Sequence, residues 1–100
     1  MRRIEMAMRA AVEARFNWHC GNTQVNVNDN KVEVYLHGNQ IYKKQGRVAS
    51  FTLAGWNSNT TRSRLRALGV SVKCRNYTPQ MEVNGEYVDI RSNEWYNVEG

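Results

Sequence analysis

A single proline and two cysteines among 100 residues leave no proline-rich linker and no disulfide framework to organise this chain. No stretch approaches the roughly 20 consecutive apolar residues that cross a bilayer. The start, Met1-Arg2-Arg3-Ile4-Glu5, lacks the apolar region of a secretory signal. A reducing cytoplasm is the expected compartment, with no membrane partner. Carboxylates are scarce as well, since the forty-eight residues between Glu33 and Glu82 contain none. The clustered acids of a metal-dependent nuclease are therefore missing. Glycine-rich phosphate loops are absent too, and Cys20, Cys74, His19 and His37 lack the C-x-x-C spacing of zinc sites. Cys20 beside His19 has no clear third member for nucleophilic catalysis. We expect no metal, no cofactor and no enzymatic activity. At 41% hydrophobic, the composition supplies one modest core and no second.

What is present is basic charge, unevenly spread. Residues 1–75 carry thirteen Lys/Arg against four acids, whereas residues 76–100 carry Arg91 alone against five. The acid-free interval holds Lys43, Lys44, Arg47, Arg62, Arg64, Arg66, Lys73 and Arg75. Such a surface either meets an external polyanion or is covered by the acidic extension of residues 76–100, through Glu82, Glu86, Asp89, Glu94 and Glu99.

Periodicity gives an α+β single domain: an antiparallel β-meander with an N-terminal helix and a short second helix, followed by a C-terminal β-hairpin. Ile4, Met8, Ala11, Val12 and Phe16 recur at the helical period and predict a helix over 3–16, with Gly21 as its cap. Glu5, Arg9 and Glu13 lie four apart on another face, read as solvated. Val25 and Val27, then Val32, Val34 and Leu36, alternate as half-buried strands. A turn at Gly38-Asn39 would set Tyr35 opposite Tyr42 and Glu33 opposite Lys44. Ala49, Phe51 and Leu53 predict a fourth strand. The run Asn57 to Thr61 is capping chemistry for a helix over Arg62 to Leu68 that ends at Gly69. Val70 to Cys74 returns to strand, Tyr77-Thr78-Pro79 breaks it, and Asn84-Gly85 marks a hairpin. The last ten residues either dock or fray.

The second helix carries the sharpest functional signal. Arg62 and Arg66 are one turn apart and repel, and Arg62 sits in the first turn, where the helix dipole favours an anion. Phosphate would satisfy both the guanidinium forks and the free N–H groups of that terminus. Arg62, Arg64 and Arg66 are thus the expected nucleic-acid grip, with Lys43, Lys44, Arg47, Lys73 and Arg75 extending the field and Trp56 alongside. Trp56, Tyr35 and Tyr42 could stack on unpaired bases, but aromatics more often serve the core, so duplex contact through phosphates is the preferred reading. DNA is the first partner considered. The alternative partner is an acidic host protein, gripped through exposed Trp, Tyr and Arg. Neutralising about five phosphates would give a log K against log salt slope of roughly −4.5.

The first helix with Asn22-Thr23, Val34 to Ile41 (Val-Tyr-Leu-His-Gly-Asn-Gln-Ile), Trp56 and Thr60 to Leu68 (Thr-Thr-Arg-Ser-Arg-Leu-Arg-Ala-Leu) resemble a group of small tailed-bacteriophage proteins that includes relatives of T7-like phages. The likeness spans residues 1–70 and leaves out the acidic extension. Arg66 stands where that pattern has a neutral polar residue. The resemblance implies a phage protein acting in the host bacterial cytoplasm, and it carries no established activity.

Overall fold

Alternating burial in the middle of the chain builds the larger of two sheets. In a computed structural model that describes residues 2–98, five strands follow one another by tight turns: β1 (Trp18–Cys20), β2 (Thr23–Asn28), β3 (Lys31–Leu36), β4 (Asn39–Gln45) and β5 (Val48–Phe51). All pair antiparallel in chain order. Val25, Val32, Val34, Leu36, Tyr42 and Phe51 face inward and are buried. Asn26, Glu33, Lys43 and Ser50 line up across the strands on the opposite, open face. Helix α1 (Arg3–Ala14) covers the inner face with Met8 and Ala11, and α2 (Asn59–Ala67) covers it with Leu65 and Ala67.

A second, three-stranded sheet follows, made of β6 (Val72–Arg75), β7 (Thr78–Val83) and β8 (Glu86–Asp89). It sends Val72 and Met81 into the same core, joined by Ile90 just past the end of β8. The chain then returns to the first sheet, where β9 (Tyr96–Asn97) pairs with β5 and Tyr96 stacks near Phe51. The acidic extension is thus woven into the fold, and the last ten residues dock as far as they are described. The α+β class, the meander, both helices and the Asn84-Gly85 hairpin stand as expected from the pattern.

Several boundaries differ, each for a local reason. The first helix stops at Ala14 because Arg15 takes the left-handed cap itself (φ 59°) and donates its N–H to the Ala11 carbonyl. Gly21 instead serves the β1–β2 turn, in a strand pair that the helical reading concealed. The second helix starts at Asn59, three residues earlier than expected, because Ser58 is the cap and accepts the Thr61 N–H. The strand expected over Ala49 to Leu53, here β5, ends at Phe51, although Leu53 is still buried.

The β3–β4 turn lies at His37-Gly38, both with positive φ, one residue before the expected pair. That alone would turn Lys43 inward. An extra residue, Ile41, restores the phase: Tyr35 pairs with Gln40 and Val34 with Tyr42, leaving Ile41 as a bulge. Consequently Glu33 faces Lys43 rather than Lys44, and Ile41 and Tyr42 both point inward. Burial raises the Tyr42 hydroxyl above its ordinary pKa.

Pro79 does not break the chain either. The tight turn is Asn76-Tyr77, and Pro79 sits within β7 with its carbonyl accepting from the Ile90 N–H, just past the end of β8. Its missing donor therefore falls where the β8 ladder has already stopped.

Candidate nucleic-acid interface

Helix α2 sends its three arginines to three different environments. Arg64 is buried at 3% exposure and its Nη1 lies 2.9 Å from the Glu5 carboxylate of α1, itself 2% exposed. Arg64 Nε donates to the Thr23 hydroxyl at 3.1 Å, and the Ser63 hydroxyl donates to Glu5 at 2.5 Å. Burial pushes the Glu5 carboxyl upward, but the bonds from Ser63, Arg64 and the Arg2 N–H outweigh it and hold the group below its ordinary value. Arg64 is accordingly closed to any external phosphate, which corrects its place in the expected grip. The Glu5 face of α1 is also not simply solvated: only Arg9 and Glu13 pair there in the open, at 3.0 Å.

Arg62 lies on the other side of α2, beside the β6–β7 turn. It is 8% exposed, and among the described residues no carboxylate pairs with it. Two neutral amide oxygens hold it instead: Asn57 Oδ1 accepts from Nη1, and Asn59 Oδ1 accepts from Nη2 at 2.6 Å. A guanidinium has five N–H donors, so bonding capacity remains. No acid stands in the first turn of α2, where the dipole is positive.

Asn57 ties this site together. Its Nδ2 donates to the Tyr77 carbonyl at 3.3 Å and approaches Cys74 Sγ at 3.5 Å, while its Oδ1 fixes Arg62. Tyr77 sits at the turn with φ 66° and is 97% exposed. A bulky residue in the left-handed region is strained, and its ring contributes nothing to the core. Asn57, Arg62, Cys74 and Tyr77 line an open cavity of about 740 Å³. Trp56, adjacent to Asn57 in the chain, is 65% exposed and walls a second, apolar groove of about 490 Å³.

The remaining expected contacts are dispersed. Arg66 is exposed and reaches the Val72 carbonyl at 3.2 Å, so it flanks β6 at the other end of α2. Arg75 is exposed next to the Asn76-Tyr77 turn, whereas Lys73 lies 3.9 Å over the Tyr87 ring. Lys43, on the open sheet face, sits 4.4 Å over the Trp95 ring. Lys44 and Arg47 are exposed about the β4–β5 turn, at the end of β4 away from Ile41. The eight cations therefore do not form one patch. Of the aromatics considered for stacking, Tyr42 is in the core and Trp56 is at the surface. The acidic extension meets two of these cations, but through the rings of Tyr87 and Trp95 rather than its carboxylates: among the described residues no ion pair involves Glu82, Glu86, Asp89 or Glu94. Glu99 lies outside the described residues. Cys20 and Cys74 are free thiols, and no metal-holding group of His, Cys, Asp and Glu occurs among the described residues.

Sequence reasoning missed three participants. Asn57 was legible only as capping chemistry, and Tyr77 only as a strand break. Glu5 could have been found, since it lies three and seven residues before Met8 and Val12 on the buried stripe of α1.

The Kyanoviridae Gp96 protein family model matches residues 1–99. The chain belongs to that family of bacteriophage proteins. The match runs through the acidic extension, which the resemblance to phage proteins had left out. No curated protein and no solved structure matches the chain. Among the described residues of the Gp96-family chain, no helix is long and apolar enough to cross a membrane.

Proposed function

We propose that this Gp96-family protein binds nucleic acid, DNA in the first instance, without catalysis, through the groove between the N-terminus of α2 and the β6–β7 turn. The observation that carries the reading is Arg62: a guanidinium almost out of water, with spare donors and no carboxylate partner, at the positive end of a helix. An unpaired charge in that position is costly until an anion arrives, and phosphate fits both the fork and the helix terminus. Arg75, beside the β6–β7 turn, and Arg66, one helical turn along α2, add two more cations, so about three phosphates are neutralised rather than five. The host bacterial cytoplasm is the place of action in this reading, and the T7-like kinship suggested by Thr60 to Leu68 belongs to it as well.

Fluorescence anisotropy with a labelled DNA across a salt series tests the proposal. The expected slope of log K against log salt is roughly −2 to −3, for about three contacts on single or double strands. Salt-independent binding, or none, counts against it. The second reading, capture of a host protein, draws on the exposure of Trp56 and Tyr77, residue types that dominate protein interfaces. A host protein that stays bound after nuclease treatment and is lost with Trp56→Ala would favour it.

A further inference from the structure

We infer that the preferred ligand is a single strand, with one unpaired base seated in the apolar groove beside Trp56; this rests on the phosphate reading of Arg62. Leu36, Ile41 and Leu53, all nearly out of water, line the groove together with exposed Trp56 and the hydroxyl-bearing Ser58 and Thr60. At about 490 Å³ it falls within the common size range of small-ligand sites. An apolar slot with a few hydroxyls at its edge suits a flat heterocycle with polar edges.

The occupant follows from what adjoins the slot. Ser58 lines both this groove and the cationic cavity that holds Arg62. The two are therefore separated by the thickness of one residue at the α2 terminus. A ligand filling both must carry an apolar planar part and an anion linked to it at short range, as a nucleotide does. Paired and stacked bases cannot reach such a slot without leaving the duplex, whereas a single strand offers them freely. Tyr77 supplies a second ring face. Its carbonyl is bound by Asn57, the residue after Trp56, so one side chain links the backbone beside both exposed aromatics, which line the two adjoining cavities. Alternating ring faces with a cationic track is the arrangement by which single strands are held without strict sequence choice. The strained backbone of Tyr77 fits this use, because the ring stays in water in the unbound protein.

The test compares three probes on the full chain across one shared salt series: a short labelled oligo(dT), a duplex of equal length, and an abasic oligomer that keeps the phosphates. Oligo(dT) is expected to bind at least about tenfold more tightly than the other two. Trp56→Ala should remove about that factor for oligo(dT) and leave duplex and abasic binding unchanged, while Trp56→Phe retains most of it. Unaltered thermal melting of both variants checks that the fold persists, as expected for an exposed side chain. Equal binding of all three probes with a normal salt slope overturns the base subsite and leaves the phosphate reading standing. Failure of every probe overturns both. Nuclease-resistant capture of one host protein that depends on Trp56 assigns the groove to a protein and also overturns the inference.

Discussion

Arg64 and Arg62 lie two positions apart on one short helix, and each is nearly withdrawn from water, yet their surroundings are opposite in kind. On the α1 side, Arg64 meets a full negative charge, with a threonine and a serine completing the bonds around the pair. Across the helix, Arg62 meets only amide oxygens, which orient a guanidinium without cancelling its charge. The first arrangement is electrically finished and fastens α2 to α1. The second is geometrically fixed and electrically open. Burial of an arginine therefore says little about its role until the charge of its partner is known, because desolvation costs the same in both places and only one is offset internally.

The strongest way to break this contrast is to remove one member of the finished pair. Glu5→Ala or Arg64→Ala should cost about 3–5 kcal/mol by urea titration, since either leaves a buried charge without its counterpart. A loss below about 1 kcal/mol would mean the seam is not structural. Acid should act on the same pair. The Glu5 carboxyl is held below its ordinary value, so its contribution is complete above the unfolded pKa of about 4.3 and disappears as pH falls through the lower folded value. Glu5→Gln should flatten that part of the stability curve against pH, and an unchanged acid limb would refute the assignment.

On the open side, expected effects are smaller on stability and larger on affinity. Arg62→Ala should lower DNA affinity about tenfold while costing on the order of 1 kcal/mol for its two amide bonds. Asn57→Ala should reproduce part of both losses, because it releases Arg62 and the Tyr77 turn together. Tyr77→Gly sharpens the contrast in the other direction. Glycine adopts positive φ freely, so this variant should gain up to about 1 kcal/mol of stability while binding oligo(dT) more weakly. Arg66→Ala is the mildest, within about 0.5 kcal/mol of wild type in stability, with the salt slope shallower by a little under one unit.

The sequence made the framework readable and the site only partly so. Valines at every second position and Asn84-Gly85 state strands and a turn through local stereochemistry alone, and they reappear in place. The bulge at Ile41 could not be read that way, because a pattern of period two does not say where an extra residue is absorbed. The separation of Arg62 from Arg64 was hidden for a different reason. Helical spacing puts them on different faces, but which face meets Glu5 depends on a contact fifty-nine residues away in the chain. The lack of acids between Glu33 and Glu82 did show that any internal partner had to come from far off, but the charge pattern favours the acidic C-terminal stretch, whereas the partner is Glu5 in the N-terminal helix.

Ile41 has one more lesson to give. As the residue unmatched by β3 between Gln40 and Tyr42, it can be excised while every β3–β4 partner is retained, with only the Thr52 N–H bond to its carbonyl and one buried side chain lost. Shortening the chain there would keep lysine out and tyrosine in, and take away part of the slot beneath Trp56. A one-codon deletion would thus hollow the core under that slot without swapping the two sides of the β3–β4 ribbon.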